Sequence, residues 1–116
     1  MSGQPLEASV RILAGRAVID LKGEINAASE RALTEAYAQA TDPGNGPVLL
    51  NFSGVHFINS TGIALIVGLL AQSRKTGRRL MVCGLSDHYL EIFRITRLAD
   101  FMTIYPDEVS ALQVGA

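Results

Sequence analysis

Ser60, His56, His88 and Cys83 are the first side chains to try against nucleophilic, acid–base and metal chemistry. A serine nucleophile needs a base within hydrogen-bond reach, and His56 and His88 are the only histidines. Ser60 lacks a Gly-x-Ser-x-Gly elbow, because Ile58 and Gly62 stand at those offsets. His56 falls in a strand-like run, where a histidine is ordinarily a surface or packing residue. Two histidines and one cysteine do not cluster at ligand spacing, so neither a metal nor a cofactor is expected. Gly44-Asn45-Gly46-Pro47 has no lysine of the kind that completes a phosphate-cradling loop, and it reads as a turn. No residue is assigned a catalytic role, and the chain does not read as an enzyme.

Ser60 has a different distinction. It sits in the knot Asn59-Ser60-Thr61-Gly62, between an apolar strand ending at Ile58 and the apolar run Ile63 to Ala71. Asn, Ser and Thr satisfy the orphan amides at a helix start, so spacing alone makes the knot a helix cap. The same position holds the Ser60 hydroxyl near a positive dipole end that tolerates added negative charge. A serine there is therefore also suited to modification.

The elements that position this corner follow from hydrophobic period. Leu6, Ala8, Val10 and Ile12 alternate with polar residues, and Ala17, Ile19 and Leu21 do so again after a turn at Ala14-Gly15. This pattern predicts an antiparallel hairpin whose second strand ends at Gly23-Glu24-Ile25-Asn26. Ala28, Ala32, Leu33, Ala36, Tyr37 and Ala40 predict a helix from Ala27 to Thr41, stopped by Asp42 to Pro47. Val48-Leu49-Leu50 and Phe52 lack alternation, as expected of a central strand covered on both faces. A helix from Ser60 to Thr76 follows, then a strand from Arg79 to Gly84. Ser86 or Asp87 caps a helix carrying Tyr89, Leu90, Ile92 and Phe93. Met102 to Tyr105 forms a short strand, and Asp107 to Gln113 a last helix behind Pro106. The expected fold is α/β: a mixed sheet of about five strands opened by an antiparallel hairpin, with about four helices and right-handed crossovers.

Composition narrows the function classes. The 116 residues are enough for one domain, and ten basic against eleven acidic residues give a net charge of −1. No overall field draws the chain to nucleic acid or to an anionic membrane. The run from Ile63 to Ala71 is far shorter than the ~20 residues of a membrane-spanning helix, so no direct membrane insertion is expected. Met1-Ser2-Gly3-Gln4-Pro5 lacks the basic and apolar regions of a signal peptide. Cys83 is the only cysteine, which fits a reducing cytoplasm. Arg74-Lys75 and Arg78-Arg79 form one basic cluster, read either as cations offsetting a helix C-terminus or as a docking patch for an acidic partner.

The stretch from Val48 to Ile63, with Asn59-Ser60-Thr61-Gly62 towards its end, resembles the signature of the STAS domain family. That family includes bacterial anti-sigma-factor antagonists and the cytoplasmic domains of sulfate transporters. Gly23-Glu24-Ile25-Asn26 is similar to its earlier Gly-Glu-Leu/Ile-Asp segment. Arg78 to Gly84 resembles the strand after its long helix, and Ile92-Phe93 with Leu98-Ala99-Asp100-Phe101 resembles its C-terminal part. The similarity extends from Leu6 to Leu112 and implies a single STAS domain across residues 1–116. It implies an anti-sigma-factor antagonist whose Ser60 is the phosphoacceptor for an anti-sigma factor of the serine-protein-kinase type. The unphosphorylated form would bind that kinase and free a sigma factor, and a phosphatase would reset the cycle. Gly23, Glu24, Asn26, Asn59, Thr61 and Gly62 are the expected partner-binding residues. The alternative is a STAS scaffold, or a cytoplasmic transporter-associated subunit, that does not act on a sigma factor. The family usually carries Asp where this chain has Asn26, Asn51 and Asn59; Asn keeps the capping ability and removes the charge.

Overall fold

Alternation sets the opening hairpin. Glu7–Leu13 (β1) pairs antiparallel with Arg16–Ile25 (β2), from Glu7 opposite Lys22 to Leu13 opposite Arg16. The computed structural model describes residues 4–13, 15–41 and 46–113. Gly15 adopts the positive φ of 82° that a tight turn requires, while Ala14, its expected partner in the turn, lies outside the described residues. Val48–Ile58 (β3), Leu80–Cys83 (β4) and Thr103–Tyr105 (β5) then add in parallel, giving the sheet order β1-β2-β3-β4-β5.

Among the described residues, four α-helices cover this sheet: α1 (Glu30–Thr41), α2 (Ser60–Lys75), α3 (Asp87–Ile95) and α4 (Glu108–Gln113). Leu33, Ala36 and Tyr37 of α1, Ile66, Leu69 and Leu70 of α2, and Phe93 of α3 pack with Ile19, Leu21, Leu50, Phe52 and Val82 in the larger core. Ala111 of α4 closes a smaller core with Val18, Leu49, Met81 and Cys83. Val48, Leu49 and Leu50 are completely buried, which explains why their stretch of sequence is continuously apolar.

The expected mixed α/β fold is present, with local refinements at the element ends. The helix expected from Ala27 opens instead as a 3₁₀ turn, Ala27–Ser29, before α1. Asn26 Oδ1 accepts from Ala28 N–H, and Ser29 Oγ accepts from Asn26 N–H while donating to the Glu24 carbonyl. This reciprocal cap tightens the first turn. Helix α2 ends at Lys75, and Gly77 at φ 72° supplies the left-handed residue that lets the Gly77 and Arg78 amides cap the Arg74 and Ser73 carbonyls. The Arg78 side chain donates to the Thr41 and Gly46 carbonyls, tying the exit of α2 to the segment before β3. Residues 42–45 of the expected Asp42–Pro47 turn lie outside the described residues.

The strand lengths matter most for the site. β4 pairs with β3 only over Val48 to Asn51, whereas β2 accompanies β3 as far as Ile58. The segment from Phe52 to Ile58 therefore extends past β4. It carries the chain to the corner where α2 begins.

Candidate functional site: the β3–α2 corner

Asn59 leaves β3 with an extended backbone, φ −90° and ψ −179°, and caps α2. Its Oδ1 accepts from Gly62 N–H at 2.8 Å, and its carbonyl accepts from Ile63 N–H at 2.9 Å. Its own N–H donates to the Ile25 carbonyl at 3.1 Å, joining the corner to the end of β2. Gly62 is buried against that carbonyl: a Cβ there would lie 2.3 Å from Ile25 O. From the other side, the buried Ile58 N–H donates to the Tyr89 hydroxyl of α3 at 2.8 Å. Three elements thus fix the start of one helix.

Ser60 is the first residue of α2, and it is exposed. Among the described residues its hydroxyl has no hydrogen-bond partner. The first four amides of a helix have no intrahelical acceptor. Of these, the Asn59 amide bonds to the Ile25 carbonyl and that of Gly62 to Asn59 Oδ1, which leaves those of Ser60 and Thr61 open among the described residues. A phosphate on Ser60 would meet open amides and the positive end of a sixteen-residue helix. The other serines near structured ends differ. Ser73 is buried and donates to the Leu70 carbonyl, Ser53 donates to Asn51 Oδ1, and Ser86 caps α3 by accepting from Tyr89 N–H.

The residues expected to meet a partner divide by exposure. Thr61 is on the surface, and Glu24, Asn26 and Asn59 are half-buried. Gly23 and Gly62 are buried and act through shape. Gly23 has φ 109°, and a Cβ on it would lie 2.5 Å from the Pro5 carbonyl, so its absence lets Gln4-Pro5 run beside β2. The sequence-matched Gly23 to Asn26 segment and the knot meet at the Asn59–Ile25 hydrogen bond.

The STAS domain family model matches residues 7–111. The chain belongs to the STAS domain family. Its sequence is 28% identical to BtrV of Bordetella bronchiseptica over 79% of this chain and 77% of that protein. It is likewise 28% identical to an anti-sigma-B factor antagonist of Staphylococcus aureus, over 74% of this chain and 80% of that one. Among solved structures, an anti-sigma factor antagonist from Mycobacterium paratuberculosis superposes with a TM-score of 0.82 at 20% identity, covering 97% of each chain. The phosphorylated form of the Bacillus cell fate determinant SpoIIAA superposes at 0.70 with 18% identity, covering 92% of this chain and 98% of that one.

Of Asn26, Asn51 and Asn59, two belong to the corner and one does not. Asn26 and Asn59 cap the 3₁₀ turn and α2. Asn51 joins a polar cluster with Arg11, Asp20 and Glu108. Arg11 pairs with Asp20 at 2.6 Å and with Glu108 of α4 at 2.5 Å, and Asn51 Nδ2 donates to Asp20 Oδ1 at 3.0 Å. The Arg11 guanidinium holds the Asp20 carboxyl below the usual carboxylate range, with the Asn51 amide adding to the effect. With its folded value lowered, Asp20 contributes stability that is present at neutral pH and lost as the pH falls through that value. Asn51→Asp would replace the donor by a third carboxylate facing Asp20. It is expected to lower stability at neutral pH by about 1.5–3 kcal/mol, the value of a hydrogen bond to a charged group. The deficit should shrink as acid protonates the pair. Urea unfolding of both proteins at neutral and mildly acidic pH measures this, and a pH-independent deficit would refute carboxylate repulsion.

The exposed His56 ring meets Gln4 Oε1 at 3.3 Å, and among the described residues no hydrogen bond joins it to Ser60. Cys83 is buried, with burial as the largest cause pushing its thiol up to about 11, which suits a core residue. Sequence reasoning passed over two apolar surfaces beside the corner. Phe57 is 48% exposed, three positions before Ser60. Ala64, Val67 and Ala71 are exposed at helical spacing from Ser60, on one face of α2. Their signal lay in the period of the run: Ile66, Leu69 and Leu70 form the buried stripe, Ile63 and Leu65 pack partly against the core, and Ala64, Val67 and Ala71 face outward.

Proposed function

We propose that this STAS domain is an anti-sigma-factor antagonist switched by phosphorylation of Ser60. The observation that carries the reading is the exposed, unbonded Ser60 hydroxyl on a rigid strand-to-helix corner with two open amides beside it. The names of the Bordetella, Staphylococcus and Mycobacterium relatives support the antagonist assignment. The phosphorylated SpoIIAA structure supports compatibility of this fold with phosphate. In the unphosphorylated state, Ser60, Thr61, Phe57 and the outer face of α2 offer a neutral, partly apolar surface to an anti-sigma factor of the serine-kinase type. Phosphate adds about −1.5 to −2 charges there, stabilised within this chain by the helix end and unfavourable against a partner shaped for a neutral hydroxyl. A phosphatase restores the binding form.

Incubation with ATP and a serine-kinase anti-sigma factor from the same genome, followed by peptide mapping, tests the assignment. Phosphate is expected on Ser60 and not on Ser53, Ser73 or Ser86. Modification elsewhere with Ser60 untouched would defeat it.

A further inference from the structure

The far end of α2 carries a second concentration of chemistry that the Ser60 corner does not use. Arg74 and Lys75 lie in its last turn, and Arg78 and Arg79 follow. A concavity of about 270 Å³ opens there, lined by Arg74, Arg78, Arg79, Asp100, Phe101 and Thr103 among others. Offsetting the helix dipole accounts for Arg74 and Lys75. Arg78 has its own task in binding the Thr41 and Gly46 carbonyls. Neither role explains the exposed Arg79 or the aromatic ring beside it.

Phe101 is 51% exposed, and the Arg74 guanidinium lies over its ring, 4.9 Å from the centroid. An exposed aromatic paired with arginine is a recurrent composition for binding surfaces. The turn that presents Phe101 starts at Arg97, which holds φ 67° at the left-handed position after α3. That position is one where glycine is usual. Here it carries another cation, whose Nε binds Asp100 at 2.5 Å and offsets the one acidic side chain in the concavity.

We propose that this pole is a second docking surface, for a short acidic segment of a protein partner. Arg74, Lys75, Arg78, Arg79 and Arg97 are five of the ten lysines and arginines, whereas Asp100 is one of eleven acidic residues. The remainder of the domain therefore has an acidic excess. An extended polyanion such as nucleic acid, or an anionic membrane, would confront that excess and present a track or a plane to a concavity. A short acidic peptide needs to touch only the pole, where Arg74 and Arg79 can receive carboxylates and Phe101 an apolar side chain. Helix α2, at 1.5 Å per residue over sixteen residues, separates the pole from Ser60 by about 24 Å. Both ends can be occupied at once, so the domain can bridge two proteins.

Fluorescence anisotropy of the full chain with a labelled Glu-rich peptide containing one Phe tests this, beside its Gln-for-Glu counterpart. The acidic peptide is expected to bind at low salt, to weaken as salt rises, and to exceed the Gln peptide at least about tenfold. Arg74→Glu with Arg79→Glu should reduce binding by at least about tenfold, and the milder pair Arg74→Gln with Arg79→Gln by several-fold. Phe101→Ser should also weaken it, and Ser60→Asp should leave it unchanged. Thermal melting verifies that each variant is folded. No binding at low salt, equal binding of the Gln peptide, or indifference to the arginine variants would overturn the proposal. Tighter binding of a single-stranded oligonucleotide or of phosphatidylserine vesicles through the same arginines would overturn the choice of partner.

Discussion

Ser60→Asp is expected to bind the anti-sigma factor at least about tenfold more weakly than the unmodified protein, a loss of about 1.4 kcal/mol, while Ser60→Ala retains binding. The difference arises from where the charge can be stabilised. Within the domain, a carboxylate at the first position of α2 faces the open amides of Ser60 and Thr61 and gains roughly 0.3–1 kcal/mol from the helix dipole. Melting temperature should therefore hold or rise slightly. In the proposed interface, the partner would pack on a small neutral side chain flanked by the exposed Thr61, Ala64 and Phe57. A charge there must be desolvated or placed against groups arranged for a hydroxyl. Ser60→Ala removes only a hydroxyl with no partner inside the domain. Calorimetric titration of the kinase with both variants decides it, and equal affinities would take Ser60 out of the interface.

The corner was legible in the sequence because its determinants are local. A cap residue, a helical period and a continuous apolar strand each follow from a few neighbouring residues, and Asn59 caps α2 as its type and position required. The β1–β2 hairpin was legible for the same reason, since alternation over Ala17, Ile19 and Leu21 is a period-two pattern. What could not be seen depends on contacts between distant segments. Ile25 meets Gly62 only because β2 and β3 pair in parallel, and Tyr89 reaches Ile58 N–H only once α3 folds back across the sheet. Asn51 illustrates the limit most clearly. Register shifts between Asp20 and Lys22, and between Gly23 and Glu24, prevent a simple count of strand parity. That count would be needed to separate Asn51, bonded to Asp20, from Asn59 at the end of the same strand. The exposed stripe on α2 was legible in principle, but an unbroken apolar run obscured it.

Two glycines of α2 should respond oppositely to the same substitution. Gly68 stands mid-helix with nothing within 4 Å of a Cβ. Gly68→Ala should therefore stabilise the domain by about 0.8–1 kcal/mol, the helix-propensity difference between the two residues. Gly62 gains the same propensity term but has no space for the methyl group. The added Cβ would stand 2.3 Å from the Ile25 carbonyl oxygen and 2.8 Å from its carbon, both backbone atoms that cannot rotate away. Relief requires α2 to move off β2, straining the Asn59–Ile25 and Asn59–Gly62 hydrogen bonds. Overpacking at a rigid contact costs about 1–3 kcal/mol and lost capping adds about 1 kcal/mol, so after the propensity gain a net loss of about 1–3 kcal/mol is expected. Urea unfolding gives both signs in one experiment. Because the displaced element begins with Ser60, Gly62→Ala should also slow phosphorylation under conditions where the variant is still folded, whereas Gly68→Ala should leave the rate unchanged. A Gly62→Ala protein as stable as its parent would show that the β2–α2 contact is looser than 2.3 Å implies, and the rigid corner would lose its physical basis.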